Sequence, residues 1–369
     1  MINVVIQGLG FVGSASAFAI ANKKNKSKFL FNVIGIDQNS LQGRKRINNI
    51  NKYKFPFLTN DQKLLDAVKK SKKNKNILAS FSKKFYSKAN VVLVSINCDI
   101  VIKKNTYDID LDKFLSSLKD IFNNVNEGTL IIIQSTIPPG TTEKFIYPLM
   151  KKKLIKRKIN FNKVYLAHSY ERVMPGKNYL NSFTNIWRVY AGINKISADK
   201  CQNFFSSIIN VKKFPMTRLN NTNSSELAKI LENSYRAVNI AFIQEWVNFA
   251  EEIKVNLYDV IKAIKLRPTH SNIANPGFGV GGYCLTKDPL FAKIASYKIF
   301  NKQHKFLFSS NAIEINKNMP LESLKKIKSY FNNNLKNKNI LMMGVSYKED
   351  IDDTRLSPSE IFFKKAKLY

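Results

Sequence analysis

The chain has 369 residues, 44% of them hydrophobic, and its 60 Lys and Arg outnumber 26 Asp and Glu for a formal net charge of +34. That length and apolar content suffice for at least two cores, favour two or three domains, and exclude a disordered or fibrous chain. The positive excess is mostly lysine, scattered among asparagine, isoleucine and phenylalanine as an AT-rich genome would also produce, so no nucleic-acid partner is expected; such a field favours a small polyanionic ligand.

Cys98, Cys201 and Cys284 are too few and too far apart for a disulfide framework or a zinc site, and the three histidines do not cluster with them, so no metal is expected. A reducing cytoplasm is the simplest home. The first apolar run begins at Ile2, which leaves no room for a signal peptide, and no run approaches the roughly 20 residues of a membrane span, so no membrane association is expected.

In chain order, INVVIQ is followed by a helix-like FVGSASAFAIA, then NVIGID, a Lys-rich helical stretch, ANVVLVSI, a helix from about 110 to 124, and GTLIIIQST. Alternation of short apolar runs with amphipathic segments predicts a doubly wound parallel sheet, extended by KVYLAHS at 163–169 and RVYAGI at 188–193. From Ser224 to Val255 there is neither proline nor glycine, and Leu227, Ile230, Leu231, Val238, Ala241, Phe242, Trp246 and Phe249 recur at helical spacing, which predicts one long central helix behind the polar residues 221–224. NNNLKNKN near 333 reads as a linker before NILMMGVSY, which predicts a buried strand. The expected organisation is an α/β chain: an N-terminal Rossmann-like domain at 1–205, a central helical domain at 206–332, and the beginning of a second Rossmann-like domain at 333–369.

GLGFVG, residues 8–13, lies between a predicted strand and a predicted helix. Gly8 and Gly10 allow a tight turn and close approach of backbone to a pyrophosphate, the free amides at Phe11 and Val12 open a helix, and Gly13 lets that helix pack on the strand. Asp37, 24 residues beyond Gly13, would accept from adenine-ribose hydroxyls and repel a 2′-phosphate, which favours NAD over NADP. QSTIPPGTTEK places Ser135 and Thr136 at the carboxyl end of a predicted strand, where ligands bind in such sheets; a plain turn built by Pro138, Pro139 and Gly140 is the equal alternative. Lys229 and Asn233 stand one turn apart on the central helix, where a buried lysine would stabilise a developing oxyanion. Cys284 sits in PGFGVGGYCLTKDP, whose glycines would let backbone wrap a ligand and whose Lys287 would raise the thiolate fraction; a buried structural cysteine is the plainer alternative.

In this order GLGFVG, Asp37, QSTIPPGTTE, ERVMPG, the helix with Lys229 and Asn233, GFGVGGYCLTKDP and GVSYKEDIDDTRLSPS resemble the UDP-glucose/GDP-mannose dehydrogenase family over essentially the whole chain. The resemblance implies oxidation of the C6 alcohol of a nucleotide sugar to a carboxylate with two NAD. It implies that Lys229 and Asn233 stabilise the C6 alkoxide, that Cys284 captures the aldehyde as a thiohemiacetal, and that Thr136, Glu171 and Asp288 position or activate the water that hydrolyses the thioester. It further implies cofactor contacts at Gly8, Gly10, Phe11, Val12, Gly13, Asp37, Ser95, Ser135 and Thr136. Substrate contacts are implied at Glu171, Arg172, Lys229, Asn233, Arg267, Phe278, Gly279, Gly281, Lys348 and Arg355, and a homodimer through the central helical region.

ERVMPGK is closer to the branch acting on UDP-N-acetylmannosamine or UDP-N-acetylglucosamine than to the UDP-glucose branch. Tyr283 stands where that branch usually has His, and SINCD at 95–99 replaces a proline-containing strand end. The family's UDP-binding domain begins here near Asn339 and the chain stops at Tyr369, so an incomplete, truncated domain is expected. UDP-glucose oxidation, a single-step 6-phosphogluconate-type hydroxyacid dehydrogenase, which leaves Cys284 without a task, and a non-catalytic NAD-binding protein are the rival readings.

Overall fold

The computed structural model describes residues 1–103, 106–351 and 353–369, so one position of the late GVSYKEDIDDTRLSPS motif lies outside the described residues. Two compact units divide them: Met1–Lys229 with Lys298–Phe300, and Ile230–Tyr297 with Asn301–Tyr369.

The first unit is built on an eight-stranded sheet: β1 (Ile2–Gln7), β2 (Phe31–Ile36), β3 (Ile77–Ser80), β4 (Val91–Val94), β5 (Leu130–Ile133), β6 (Tyr165–His168), β7 (Val189–Gly192) and β8 (Thr217–Arg218), in the order β8-β7-β6-β5-β4-β1-β2-β3. β1 runs parallel to both β2 and β4, so the strand order reverses there and a crevice opens at the carboxyl ends, the usual place for a dinucleotide. VVLV of β4 and LIII of β5 are buried at every residue, as strands covered on both faces must be, which is why they read as unbroken apolar runs.

β7 extends the sheet as expected but antiparallel to β6. The segment between them holds only the one-turn helix Asn181–Thr184, too short for the crossover that a parallel partner needs. The Lys-rich stretch resolves into two helices, Leu41–Asn51 capped by the Ser40 hydroxyl and Gln62–Asn74 capped by the Asp61 carboxylate.

In the second unit the long helix Thr222–Glu252 continues from Ile230, joined by Leu257–Ile264, Leu307–Tyr330 and Pro358–Ala366. Two of its buried apolar clusters are small, one made of Ala237, Ala241 and Ala312 and another of Leu324, Leu335 and Phe362; Leu290, Phe291, Ile294 and Ala295 are buried as well. Leu231, Tyr235, Phe242, Trp246 and Phe249, at steps of three, four or seven residues along one face of the long helix, and Ile253 just beyond its end are each about half exposed or more.

The strand predicted at NILMMGVSY does not form. Residues 340–345 have no ladder partner, and Leu341 and Met343 are 87% and 91% exposed. A lone extended segment leaves its amides and carbonyls unpaired, and no other strand is present among the described residues of this unit to complete a ladder.

Candidate active site

In the first unit the turn after β1 is shaped by contacts that exclude side chains. Gly8 has φ +91°, and a Cβ there would lie 2.5 Å from the Ser95 carbonyl oxygen; a Cβ at Gly13 would lie 1.8 Å from the Gly8 carbonyl oxygen. A Cβ at Gly10 meets nothing within 4 Å, so the turn opens on free space at the start of the helix Phe11–Ala21. That helix start has no side-chain cap, which leaves its first amides for an anion. Phe11 stacks on Phe57 at 4.1 Å between ring centroids, and its carbonyl accepts from Tyr179 Oη. Val12 packs against the core beneath.

Asp37, at the end of β2, is nearly buried and accepts from the Leu9 amide at 3.3 Å and the Gln38 amide at 2.7 Å. Arg46 adds a two-pronged contact, Nε to Oδ2 at 2.7 Å and Nη2 to Oδ1 at 3.2 Å. Open space at Gly10, uncapped amides and a carboxylate at the second strand end fit the pyrophosphate and ribose of NAD. Ser95 donates to Gln134 Oε1, and Ser135 donates to the Ile96 carbonyl at 2.6 Å, so both hydroxyls tie the carboxyl ends of β4 and β5 together. Thr136 follows, half-buried.

The same unit holds Glu171, Arg172 and Lys229. Lys229 is only 6% exposed, whereas its neighbour Leu227 is 48% exposed, so the helix turns the lysine inward. Its Nζ donates to the Glu171 carbonyl at 2.9 Å and lies 5.5 Å from the Tyr170 ring centroid. Arg172 donates to Tyr170 Oη and to the Trp187 carbonyl, and the Glu171 carboxylate accepts from the Val173 amide.

Two buried groups here had no place in the sequence reading. Glu226, fully buried, accepts from the Gly140 amide at 2.7 Å and the Thr142 amide at 2.8 Å. Burial pushes its carboxyl up to about 8, against the opposing pull of hydrogen bonds from Thr142, Gly140 and Thr141. His168, also fully buried, meets the Ser225 hydroxyl through Nδ1 at 2.8 Å and the Ser135 carbonyl through Nε2 at 3.4 Å. Desolvation is the main force that pushes it down to about 4, with Lys229 adding to the shift.

In the second unit Asp288 is wholly buried, with Asn233 Nδ2 donating to Oδ2 at 2.7 Å and Lys287 Nζ to Oδ1 at 2.8 Å. Cys284 is exposed, one turn before the helix Asp288–Lys298, and its carbonyl accepts from the Asp288 amide at 2.9 Å. The thiol therefore sits at the surface, not in a core. Lys287, expected to bias the thiol, is committed to Asp288, and Arg355 is a cation coupled electrostatically to Cys284. Hydrogen bonding to Asp353 raises Arg355 above its ordinary value, with the Cys284 charge a smaller contribution.

The glycines of the cysteine loop face residues 347–358. A Cβ on Gly281 would lie 2.4 Å from Tyr347 Cβ and 2.9 Å from the Leu356 carbonyl oxygen, one on Gly279 would lie 2.5 Å from Pro358 Cβ, and the Gly282 amide donates to the Arg355 carbonyl. Those glycines were expected to wrap a ligand; in this structure Gly279 and Gly281 admit the late segment of the same chain. Tyr283 has Lys287 Nζ 4.5 Å and the Arg355 guanidinium 5.3 Å from its ring centroid. Phe278 is partly exposed beside Phe362, while Lys348 and Arg267 are exposed.

Among the described residues no group of three or more His, Cys, Asp or Glu is placed to hold a metal ion, and no helix is long and apolar enough to cross a membrane.

A dinucleotide cradle in one unit, and in the other an exposed cysteine and a buried Asn–Asp–Lys cluster, are features of a nucleotide-dependent oxidoreductase. Residues 2–209 match the NAD binding domain of the UDP-glucose/GDP-mannose dehydrogenase family, and residues 223–318 match its central domain. The UDP-N-acetyl-D-mannosamine dehydrogenase of Methanococcus vannielii is 34% identical over 361 residues, 97% of this chain and 75% of the relative. Its counterpart in Campylobacter jejuni is 28% identical, over 96% of this chain and 81% of the relative. The solved UDP-D-ManNAc dehydrogenase of Pyrococcus horikoshii superposes with a TM-score of 0.83 at 27% identity, covering 100% of this chain and 81% of that one. The chain belongs to the UDP-glucose/GDP-mannose dehydrogenase family, and is thus an NAD-dependent nucleotide-sugar dehydrogenase.

Proposed function

We propose that this enzyme oxidises the C6 alcohol of UDP-N-acetylmannosamine to the uronate, as a precursor for surface polysaccharide. The observation that carries the four-electron chemistry is the exposed Cys284 thiol, one turn from a buried Asp288 that already holds Asn233 and Lys287. The names of relatives matched over almost the whole chain support the sugar.

NAD accepts a hydride twice per sugar, so that R–CH2OH, two NAD and one water become R–COO−, two NADH and three protons. Lys229 and Asn233 stabilise the alkoxide in the first oxidation. Cys284 adds to the aldehyde and holds it as a thiohemiacetal, whose oxidation leaves a thioester. Water, positioned by Thr136, Glu171 and Asp288, breaks that C–S bond and restores the thiol. Asp37 and the Gly8–Gly13 turn hold the adenine ribose and pyrophosphate, with Ser95 and Ser135 at the adjoining strand ends. Arg172, Arg267, Phe278, Gly279, Gly281, Lys348 and Arg355 are assigned to the UDP-sugar, and residues 333–369 to its UDP portion. Cys98 and Cys201 are buried cysteines, which suits a reducing cytoplasm. The apolar stripe from Leu231 to Ile253 supports a homodimer across the long helix.

NADH released per sugar tests this reading in wild type and Cys284→Ser. Two equivalents from wild type, with the serine variant slowed by about a thousand-fold or more, is the expected result, since serine lacks a comparably nucleophilic anion at neutral pH. Two equivalents at an undiminished rate from the variant would remove the thioester route, and one equivalent from both would favour a single-step hydroxyacid dehydrogenase.

A further inference from the structure

Three polar contacts in the first unit converge on one loop. Residues 135–142 leave β5 and include Ser135, Thr136 and two prolines, Pro138 and Pro139, which have no N–H to donate; within the loop the Thr141 amide and hydroxyl both donate to the Pro138 carbonyl. Glu226, in the first turns of the long helix, accepts from the amides of Gly140 at 2.7 Å and Thr142 at 2.8 Å. One residue earlier, Ser225 meets His168, whose other ring nitrogen reaches the Ser135 carbonyl. Three residues later, Lys229 reaches the Glu171 carbonyl.

A carboxylate with both oxygens facing backbone N–H groups, wholly out of water, costs far more to desolvate than an exposed helix-start acid. Capping its own helix does not require it, because the Asn221 side chain already accepts from the Ser224 amide. The two amides belong instead to the turn at Gly140, which has φ +92° and where a Cβ would lie 2.8 Å from both Ile299 and Phe300, and to Thr142, where the helical run through Lys156 begins, so Glu226 caps that run from outside it. That turn is therefore held between a carboxylate on one side and apolar side chains on the other.

We propose that Glu226 is a positioning residue for the second half of the reaction: it fixes the 135–142 loop so that Thr136 is set for thioester hydrolysis, while Lys229 on the same helix serves the first oxidation. The inference rests on the thioester route proposed above. Its signature is asymmetric. Loss of the Glu226 contacts frees the loop but leaves the helix, so hydrolysis slows and the hydride transfers do not.

Glu226→Gln keeps the shape and replaces one acceptor oxygen by an N–H that faces another N–H. Gly140→Ala strains the same bond from the opposite side with Glu226 intact. Both variants are followed by stopped-flow NADH absorbance with UDP-N-acetylmannosamine, above the value of about 8 to which burial pushes the carboxyl. The expected result is a burst of two NADH per site at the wild-type rate, then a steady-state rate reduced about ten- to hundred-fold, the scale of one lost charge-assisted hydrogen bond in a buried site. Thioester accumulates and is trapped by hydroxylamine. Equal loss in burst and steady state, in either variant, overturns the proposal, as does an unchanged steady state in both. Failure of the thioester route itself shows separately, as wild type that never yields a hydroxylamine-trapped intermediate even on acid quench.

Discussion

The two units solve different problems with different materials. The first buries whole strands, such as VVLV and LIII, and spends its polar side chains on internal ties such as Ser135 to Ile96 and Glu226 to Gly140. The second includes an apolar cluster built from three alanines, and exposes a row of large side chains on its long helix. A cradle for a dinucleotide must hold its shape before the ligand arrives, and a continuous parallel core supplies that rigidity. The second unit, by contrast, leaves Trp246 and Phe249 about half exposed.

That contrast breaks most sharply at Gly13. A methyl there has 1.8 Å to the Gly8 carbonyl oxygen, so Gly13→Ala should destabilise the first unit by about 3 kcal/mol, the upper range of overpacking, and abolish NAD binding. Calorimetric unfolding with NAD titration checks it; retained NAD affinity would mean the turn yields more than the structure implies.

A second prediction concerns the exposed stripe. Trp246→Glu should turn a dimer into a monomer in sedimentation velocity while the first unit keeps its NAD affinity, because the change sits on a half-exposed residue and deletes no buried contact of that unit. If the sedimentation coefficient is unchanged, the stripe is not the subunit interface.

The smallest effect is a matter of pH. His168 is held neutral at about 4, below its ordinary value near 6.5, so the unfolded chain takes up a proton that the folded unit refuses. The stability this represents is present above about 6.5 and is lost as pH falls through the folded value of about 4. His168→Gln should flatten the fall in Tm across that window, at the cost of a small uniform loss from the altered Ser225 contact. Identical slopes for both proteins would show that another group carries the acid sensitivity.

Much of the first unit was legible because period and burial agree there: strands covered on both faces must be apolar throughout, as β4 and β5 are, and β1 and β2 are apolar at most positions, broken by Asn3, Gln7 and Asn32. β3, ILAS, exposes Leu78 and ends on serine, β8 has only two residues, and the direction of β7 depends on a connection rather than on its own residues. NILMMGVSY has a strand's composition but no neighbour in the second unit, and composition cannot supply a ladder.

The site divides similarly. Cys284 and Asp288 lie four residues apart, so local spacing carried them, whereas no such spacing marks the partners of Glu226 and His168. Their burial depends on Gly140, Thr142 and Ser225, brought near by the fold across 57 to 86 residues of chain. An acid three residues before the inward lysine, with the same helical facing, was the available signal.

The close fit of Gly281 against Tyr347, Leu356 and Pro358 moulds the thiol loop on a distant stretch of its own chain. A side chain at 281 could not be accommodated by trimming position 347 alone, because the Leu356 carbonyl oxygen and the Pro358 ring would still block it, so the loop and the late segment must move together.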